Sequence, residues 1–366
     1  EETVLRGARM TKASVRGVAL LLAGGLALSG CASDEPTGGG NAGGGGGGGG
    51  TEELKIGLAY DAIGRGDRSF NDSAFAGVEA AVEEYGGDFR EVTPNEDGSD
   101  RAELLAQLAE QGYDPVIAVG FAYDEVIADV AAEFPETTFA QVDGSYQLPD
   151  GTSKGDNVTG LIFAAEEGSF LAGAAAALKS ESGQIGFIGG VDVPLIQTFQ
   201  AGSEAGARAV NPNITILPEY ISPAGDFSGF NDPARAQILA QGMYSAGADI
   251  VFQVAGGSGT GVFQAAAAAG GRAIGVDSDQ YNTVDDPALQ AVIMTSMLKR
   301  VDNAVLAFVG DFVEGDVEGG TDILYDLETD GVGLATSGGF IDDIQGDIDR
   351  FRQQIIAGEI EVPTTP

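Results

Sequence analysis

The sequence predicts an α/β protein of two similar lobes, each a parallel sheet covered by helices. Two observations carry this reading. Between residues 53 and 366, short apolar runs of β character alternate with Gly- or Asp-containing turns and amphipathic helical stretches. Strands that are apolar along most of their length belong to parallel sheets buried on both faces. The alternation also falls into two runs, residues 54–163 and 184–277, and the body is long enough for two such lobes.

In chain order, the first strand is expected at 55–60, where Lys-Ile-Gly-Leu-Ala-Tyr runs into a turn with Asp61 and Gly64. A helix follows over 70–85, because Phe70, Ala74, Val78, Ala81, Val82 and Tyr85 share one face at helical spacing. Further strands are expected at 89–93, 116–119, 138–142 and 158–163. The apolar stretch 161–178 carries Glu166 and Glu167 in its middle, so it reads as the start of a buried helix and not as a membrane span. The second run supplies strands at 185–188, 214–219, 250–254 and 273–276, and a last strand is expected at 291–295. A helix over 301–312 then places Val301, Ala304, Val305, Phe308 and Phe312 on one face.

Ahead of this body the chain has a different character. With Met10 read as the start, the basic residues Lys12 and Arg16 precede an uncharged apolar run from 17 to 30, too short to span a bilayer, and then Cys31. Leu28-Ser29-Gly30-Cys31 looks like a bacterial lipobox, so residues 1–30 are expected to be a lipoprotein signal and Cys31 the lipid-anchored N-terminus. Residues 31–52 are dominated by glycine, interrupted between 38 and 50 only by Asn41 and Ala42. Such a segment has no side chains to bury and reads as a tether, with a mean reach of about 25 Å for ~20 residues. The expected location is the extracytoplasmic face of the cell membrane.

Composition removes several functions. The chain has 18 basic and 56 acidic residues, no histidine and one cysteine. Without histidine there is no Ser-His-Asp or Cys-His pair, and one cysteine neither clamps a zinc nor closes an internal disulfide. The formal charge of −38 repels a phosphate backbone, and the basic residues are scattered singly, so nucleic acid is not an expected partner. Most of the carboxylates read as a solvating surface.

Ligands of parallel α/β sheets collect at the carboxyl ends of the strands. The segments after the strands at 55–60, 138–142 and 273–276 offer Asp61, Asp143 and Asp277, and the one after 250–254 offers Gly256-Gly257-Ser258-Gly259-Thr260-Gly261. That Gly-rich turn lacks the P-loop Lys and the GxGxxG spacing, and the three aspartates would repel an anion. Ionised carboxylates are acceptors only, so they suit a ligand presenting hydroxyl or N–H donors, such as a sugar or a nucleobase edge. Arg65-Gly66-Asp67 reads as a coincidental tripeptide inside the first of these loops.

The stretches 60–77 (YDAIGRGDRSFNDSAFAG), 163–180 (FAAEEGSFLAGAAAALKS), 185–190 (IGFIGG), 274–280 (IGVDSDQ) and 295–300 (TSMLKR) resemble, in order, the basic membrane protein family of lipoproteins, the purine-nucleoside receptors of bacterial ABC importers. The resemblance implies a type I periplasmic-binding-protein fold, with two Rossmann-like lobes joined by a multi-strand hinge and a ligand held in the cleft between them. It implies that Phe70 and Phe230, with Phe227 as the competitor for the second position, sandwich a base. By the same carry-over, Asn71 and Asp143 hydrogen-bond the base, while Asp61, Gly256, Asp277 and Lys299 surround the ribose. The implied partners are a nucleoside and the permease and ATPase subunits of an importer, with a monomeric receptor and no cofactor. Lobe 1 is expected to comprise residues 53–163 and about 289–325, and lobe 2 residues 164–288 and about 326–366. Two other readings stay open: the same fold binding riboflavin or another flat or sugar-containing ligand, and a glycosidase in which Asp61 and Asp277 flank a glycosidic bond.

Overall fold

The computed structural model describes residues 53–95 and 97–366, so the expected signal, Cys31 and the glycine tether lie outside the described residues. The chain starts with β1 (Lys55–Ala59), α1 (Phe70–Tyr85), β2 (Asp88–Val92), α2 (Arg101–Glu110), β3 (Val116–Val119), α3 (Ile127–Glu133), β4 (Phe139–Val142) and β5 (Val158–Phe163). It continues through α4 (Ala165–Lys179), β6 (Gln184–Val191), α5 (Pro194–Val210), β7 (Thr215–Ser222), α6 (Pro233–Ala246), β8 (Ile250–Val254), α7 (Gly259–Ala269) and β9 (Arg272–Asp277). The last part comprises α8 (Gln280–Thr283), α9 (Pro287–Gln290), β10 (Ile293–Lys299), α10 (Val301–Glu314), β11 (Thr321–Tyr325), β12 (Val332–Leu334) and α11 (Gln345–Ile356).

The strands form two six-stranded sheets, ordered β11-β5-β4-β3-β1-β2 and β12-β10-β9-β8-β6-β7. The two orders superimpose strand for strand, so each lobe repeats one doubly wound plan. Every pairing is parallel except β10 with β12. The central strands β1, β3, β4, β8 and β9 are buried almost throughout, in keeping with apolar runs covered on both faces. This is the two-lobe α/β architecture the sequence predicted.

The chain passes between sheets at 163–165, 299–301 and 325–332. One expected boundary moves. The sequence places the return to lobe 1 at about residue 289, but β10 pairs in parallel with β9, with Met297 opposite Val276 and Leu298 opposite Asp277, so the chain stays in the second sheet through Lys299. The strand also runs four residues past its expected end at 295, because Met297 is as buried as Ile293. β11 and β12 were not expected as strands: β11 is a half-exposed edge, and β12 is only three residues long.

Helices α4 and α5 approach unusually closely. A Cβ at Gly173 would lie 1.9 Å from the Ser203 carbonyl oxygen, and one at Gly206 would lie 1.9 Å from that of Phe170. Glycine at these positions lets the two backbones touch and fixes α5, whose first turn lines the cleft. Gly206→Ala is expected to lower stability by about 1–3 kcal/mol, read as a lower urea midpoint. Gly242→Ala in α6, where an added Cβ meets nothing within 4 Å, is the matched control and is expected to raise stability by about 0.5–1 kcal/mol.

Candidate functional site

The site is assembled from the loop after β1 and from strand ends of both sheets. That loop is knitted by two carboxylates. Asp67 accepts hydrogen bonds from the backbone N–H groups of Ser69 (3.0 Å), Asn71 (2.8 Å) and Asp72 (3.1 Å), and so caps α1. Asp72 in turn accepts from the N–H groups of Gly66 (2.8 Å) and Arg68 (2.9 Å). Arg65 lies over the Phe75 ring, with its guanidinium carbon 3.5 Å from the centroid. The Arg65-Gly66-Asp67 tripeptide therefore serves its own loop, and the cap sets Phe70 at the first turn of α1, facing the cleft.

Asp143 and Asp277 close the equivalent strands β4 and β9 of the two sheets, and both have left-handed backbones, at φ 58° and 62°. That conformation is uncommon for a residue with a Cβ and is enriched in Asp and Asn. Lys299, the last residue of β10, reaches between them. Its Nζ is 2.6 Å from Asp143 Oδ2 and 3.4 Å from Asp277 Oδ1, and all three side chains are at most 7% exposed. The same ammonium lies 4.3 Å from the Phe70 ring centroid and within 6 Å of those of Phe163 and Phe199.

Electrostatics follow from burial. Desolvation alone would lower the Lys299 pKa, but Asp143 and Asp277 outweigh it and hold the pKa above the usual lysine value. Burial pushes the Asp143 carboxyl up despite the ammonium beside it, since two acids share one base there. Burial likewise raises Asp61, opposed by hydrogen bonds from Asn71 and from backbone N–H groups, and it lifts Asp67 to about 7.

All eight residues singled out from the sequence line one cleft, which encloses about 610 Å³ of empty space, part of it open to solvent. These are Asp61, Phe70, Asn71, Asp143, Phe230, Gly256, Asp277 and Lys299. Asn71 is more occupied than expected: its amide donates to Asp61 Oδ1 (2.8 Å) and Asp67 Oδ2 (3.2 Å), and its Oδ1 accepts a long bond from the Asp61 N–H (3.5 Å), which leaves that oxygen's second lone pair for a ligand. Both aromatic candidates of the second lobe face the cleft. Phe230 packs where a Cβ on Gly190 would come within 2.5 Å of its ring, and it borders Gly256, whose φ is 52°. Phe227 instead reaches across to lobe 1, with its ring 5.7 Å from that of Phe121 and 5.2 Å from the Arg101 guanidinium.

Sequence reading missed the apolar wall of the cleft: Ile63, Phe121, and Leu195, Ile196 and Phe199 from the first two turns of α5. Leu195 and Phe199 are four residues apart after Pro194, a helix-start pattern that could have flagged one face, though not its direction. Among the described residues no cluster of side chains suits a metal ion, and no helix is long and apolar enough to cross a membrane.

A cleft with carboxylates and aromatics at the strand ends of two hinged lobes defines a solute-binding protein. The comparisons agree. Residues 54–366 match the family described as ABC transporter substrate-binding protein PnrA-like, and the chain belongs to that family. It is similar to the ABC transporter nucleoside-binding protein BmpA of Lactococcus lactis, at 32% identity over 97% of this chain and 100% of the relative. It is also similar to basic membrane protein A of Borreliella burgdorferi, at 32% identity over 81% of this chain and 84% of the relative. A solute-binding protein of an ABC transporter system from Aeropyrum pernix superimposes with a TM-score of 0.72, at 27% identity, over 85% of this chain and 93% of the other.

Removing the shared base should expose the cost of the acids around it. Lys299→Met is expected to destabilise the protein by about 3–5 kcal/mol near pH 8, because it leaves buried carboxylates unpaired. The loss should shrink toward pH 5, where Asp143, whose pKa burial already raises, takes up a proton. Chemical denaturation at the two pH values measures this, and an equal loss at both would contradict it.

Proposed function

We propose that this protein captures a nucleoside, with a purine base preferred, in the cleft between its lobes and presents it to an ABC importer while tethered to the membrane through a lipid on Cys31. The observation that carries the reading is the convergence of Asp143, Asp277 and Lys299 beside the Phe70 ring in one buried cleft. An aromatic face holds a flat base and tolerates its identity, worth roughly 1–3 kcal/mol per stacked base. The carboxylates accept from hydroxyl and N–H donors, and sites built to hydrogen-bond a hydroxyl strongly reject analogues that lack it. Among the described residues the only cation lining the cleft, Lys299, is already engaged by two carboxylates, so a phosphate would meet net negative charge. Nucleosides are therefore favoured over nucleotides. The nucleoside-binding name of the Lactococcus lactis relative points the same way.

Within this reading, Phe70 and Phe230 enclose the base, Asn71 Oδ1 and Asp143 address its edge, and Asp61, Gly256, Asp277 and Lys299 hold the ribose. Capture proceeds by closure of two lobes about the three crossovers. The role is binding and delivery, not turnover.

Calorimetric titration with inosine, guanosine, adenosine, cytidine and inosine monophosphate tests the reading. Tight heats for purine nucleosides and none for the monophosphate are expected. Silence toward every nucleoside, or binding of riboflavin in their place, would contradict it. Phe70→Ala is expected to weaken nucleoside binding roughly 5- to 150-fold without loss of the folded circular dichroism spectrum. Because burial raises the pKa of both Asp61 and Asp143, affinity should fall as acidification protonates them, read as a Kd that rises as the pH is lowered. Cys31→Ala is expected to move the protein from the membrane fraction to the medium, as followed by immunoblotting.

A further inference from the structure

Beyond the ligand contacts, the loop after β1 is pinned to the other lobe. Ser69 is fully buried, and its hydroxyl donates to Asp277 Oδ2 at 2.6 Å while also lying 3.1 Å from the Val276 carbonyl oxygen. The Ser69 carbonyl accepts from the Ser278 hydroxyl at 2.9 Å. The neighbouring Arg68 carbonyl accepts from Gln280 Nε2 at 3.1 Å and from Thr283 Oγ1 at 3.2 Å. Arg68 belongs to the first sheet's lobe, whereas Asp277, Ser278, Gln280 and Thr283 belong to the segment that leaves β9 in the second.

Both sides are rigidly built. Arg68 is held at φ 54°, a left-handed conformation that costs a residue with a Cβ and persists only where surrounding bonds fix it. On the opposite side Gln280 is clamped: its Oε1 accepts from Gln253 Nε2 at 2.7 Å and from the Val276 N–H at 3.0 Å. Its remaining amide group is thereby aimed at lobe 1. The two oxygens of Asp277 are divided between lobes, Oδ2 to Ser69 and Oδ1 to Lys299.

We propose that Arg68-Ser69 forms an interlobe latch that completes the ligand site, with Ser69 as the positioning residue that orients Asp277. Ser69 reaches the carboxylate only when the lobes are together, so closure and the final orientation of this acceptor are one event. A ligand whose hydroxyls need Asp277 therefore gains affinity from the closed form that a ligand without them does not. The specificity part rests on the reading of Asp277 as a ribose acceptor; the latch itself does not.

The experiment compares full-length wild type with Ser69→Ala and Ser278→Ala. Binding of inosine and 2′,3′-dideoxyinosine is followed by calorimetry and stopped-flow, and the radius of gyration is measured by small-angle scattering without ligand. Ser69→Ala is expected to raise the inosine Kd roughly ten- to a hundredfold, since a bond to a charged acceptor is lost. The rise should appear in the dissociation rate, with dideoxyinosine affected several-fold less. Ser278→Ala, which touches lobe 1 but not the Asp277 carboxylate, should weaken both ligands equally. Unfolding midpoints confirm that each variant folds. An inosine Kd for Ser69→Ala within twofold of wild type, or equal losses for the two ligands, would overturn the positioning role. If wild type binds no nucleoside, the ligand reading fails and scattering judges the latch alone: a larger radius for Ser69→Ala supports it, and equal radii overturn it.

Discussion

A single buried ammonium between carboxylates of two lobes is the constraint around which this molecule is organised. Lys299 has Asp143 of the first sheet on one side and Asp277 of the second on the other. Neither acid could be sequestered without that base, and the base could not be buried without them. The arrangement requires equivalent strands β4 and β9 to end at one place, the aspartates at those ends to turn through a left-handed backbone, and β10 to run far enough to deliver a lysine between them. The repeated sheet order supplies the first requirement, Asp the second, and the length of β10 the third.

The rest of the fold holds this geometry in position. Close contact of α4 and α5 through Gly173 and Gly206 fixes the first two turns of α5, which provide the apolar wall opposite the carboxylates. The loop after β1 is held by Asp67 and Asp72 and carries Phe70 to the ammonium. Acids thus do two jobs in the same loop: Asp67 shapes backbone and Asp61 faces the cleft. The remaining carboxylates among the described residues lie mostly exposed, where solvent screens them.

The paired-lobe plan was legible because parallel strands buried on both faces leave uninterrupted apolar runs, and strand ends could be read for ligand chemistry. Asp61, Asp143 and Asp277 were found that way, and Lys299 and Phe70 through the motifs around them. What escaped had a weak local signal. β11 and β12 are sheet edges with half-exposed or very short sequences, and a strand expected at 291–295 carries no local sign that it pairs with β9, so the sequence assigns it to the wrong lobe. The role of Ser69 was invisible in sequence, since its partner Asp277 lies 208 positions away and only tertiary folding brings them together. The engagement of the Asn71 amide by Asp61 and Asp67 was hidden for the same kind of reason: side-chain amides report their partners only in three dimensions.

The most direct test of the central claim is native mass spectrometry of the protein purified without denaturation, followed by identification of what it releases. The expected result is one nucleoside per chain, lost in the Lys299→Met variant. Release of a flavin, or of a sugar without a base, would contradict the assignment of the Phe70 and Asp143–Lys299–Asp277 site to a nucleoside.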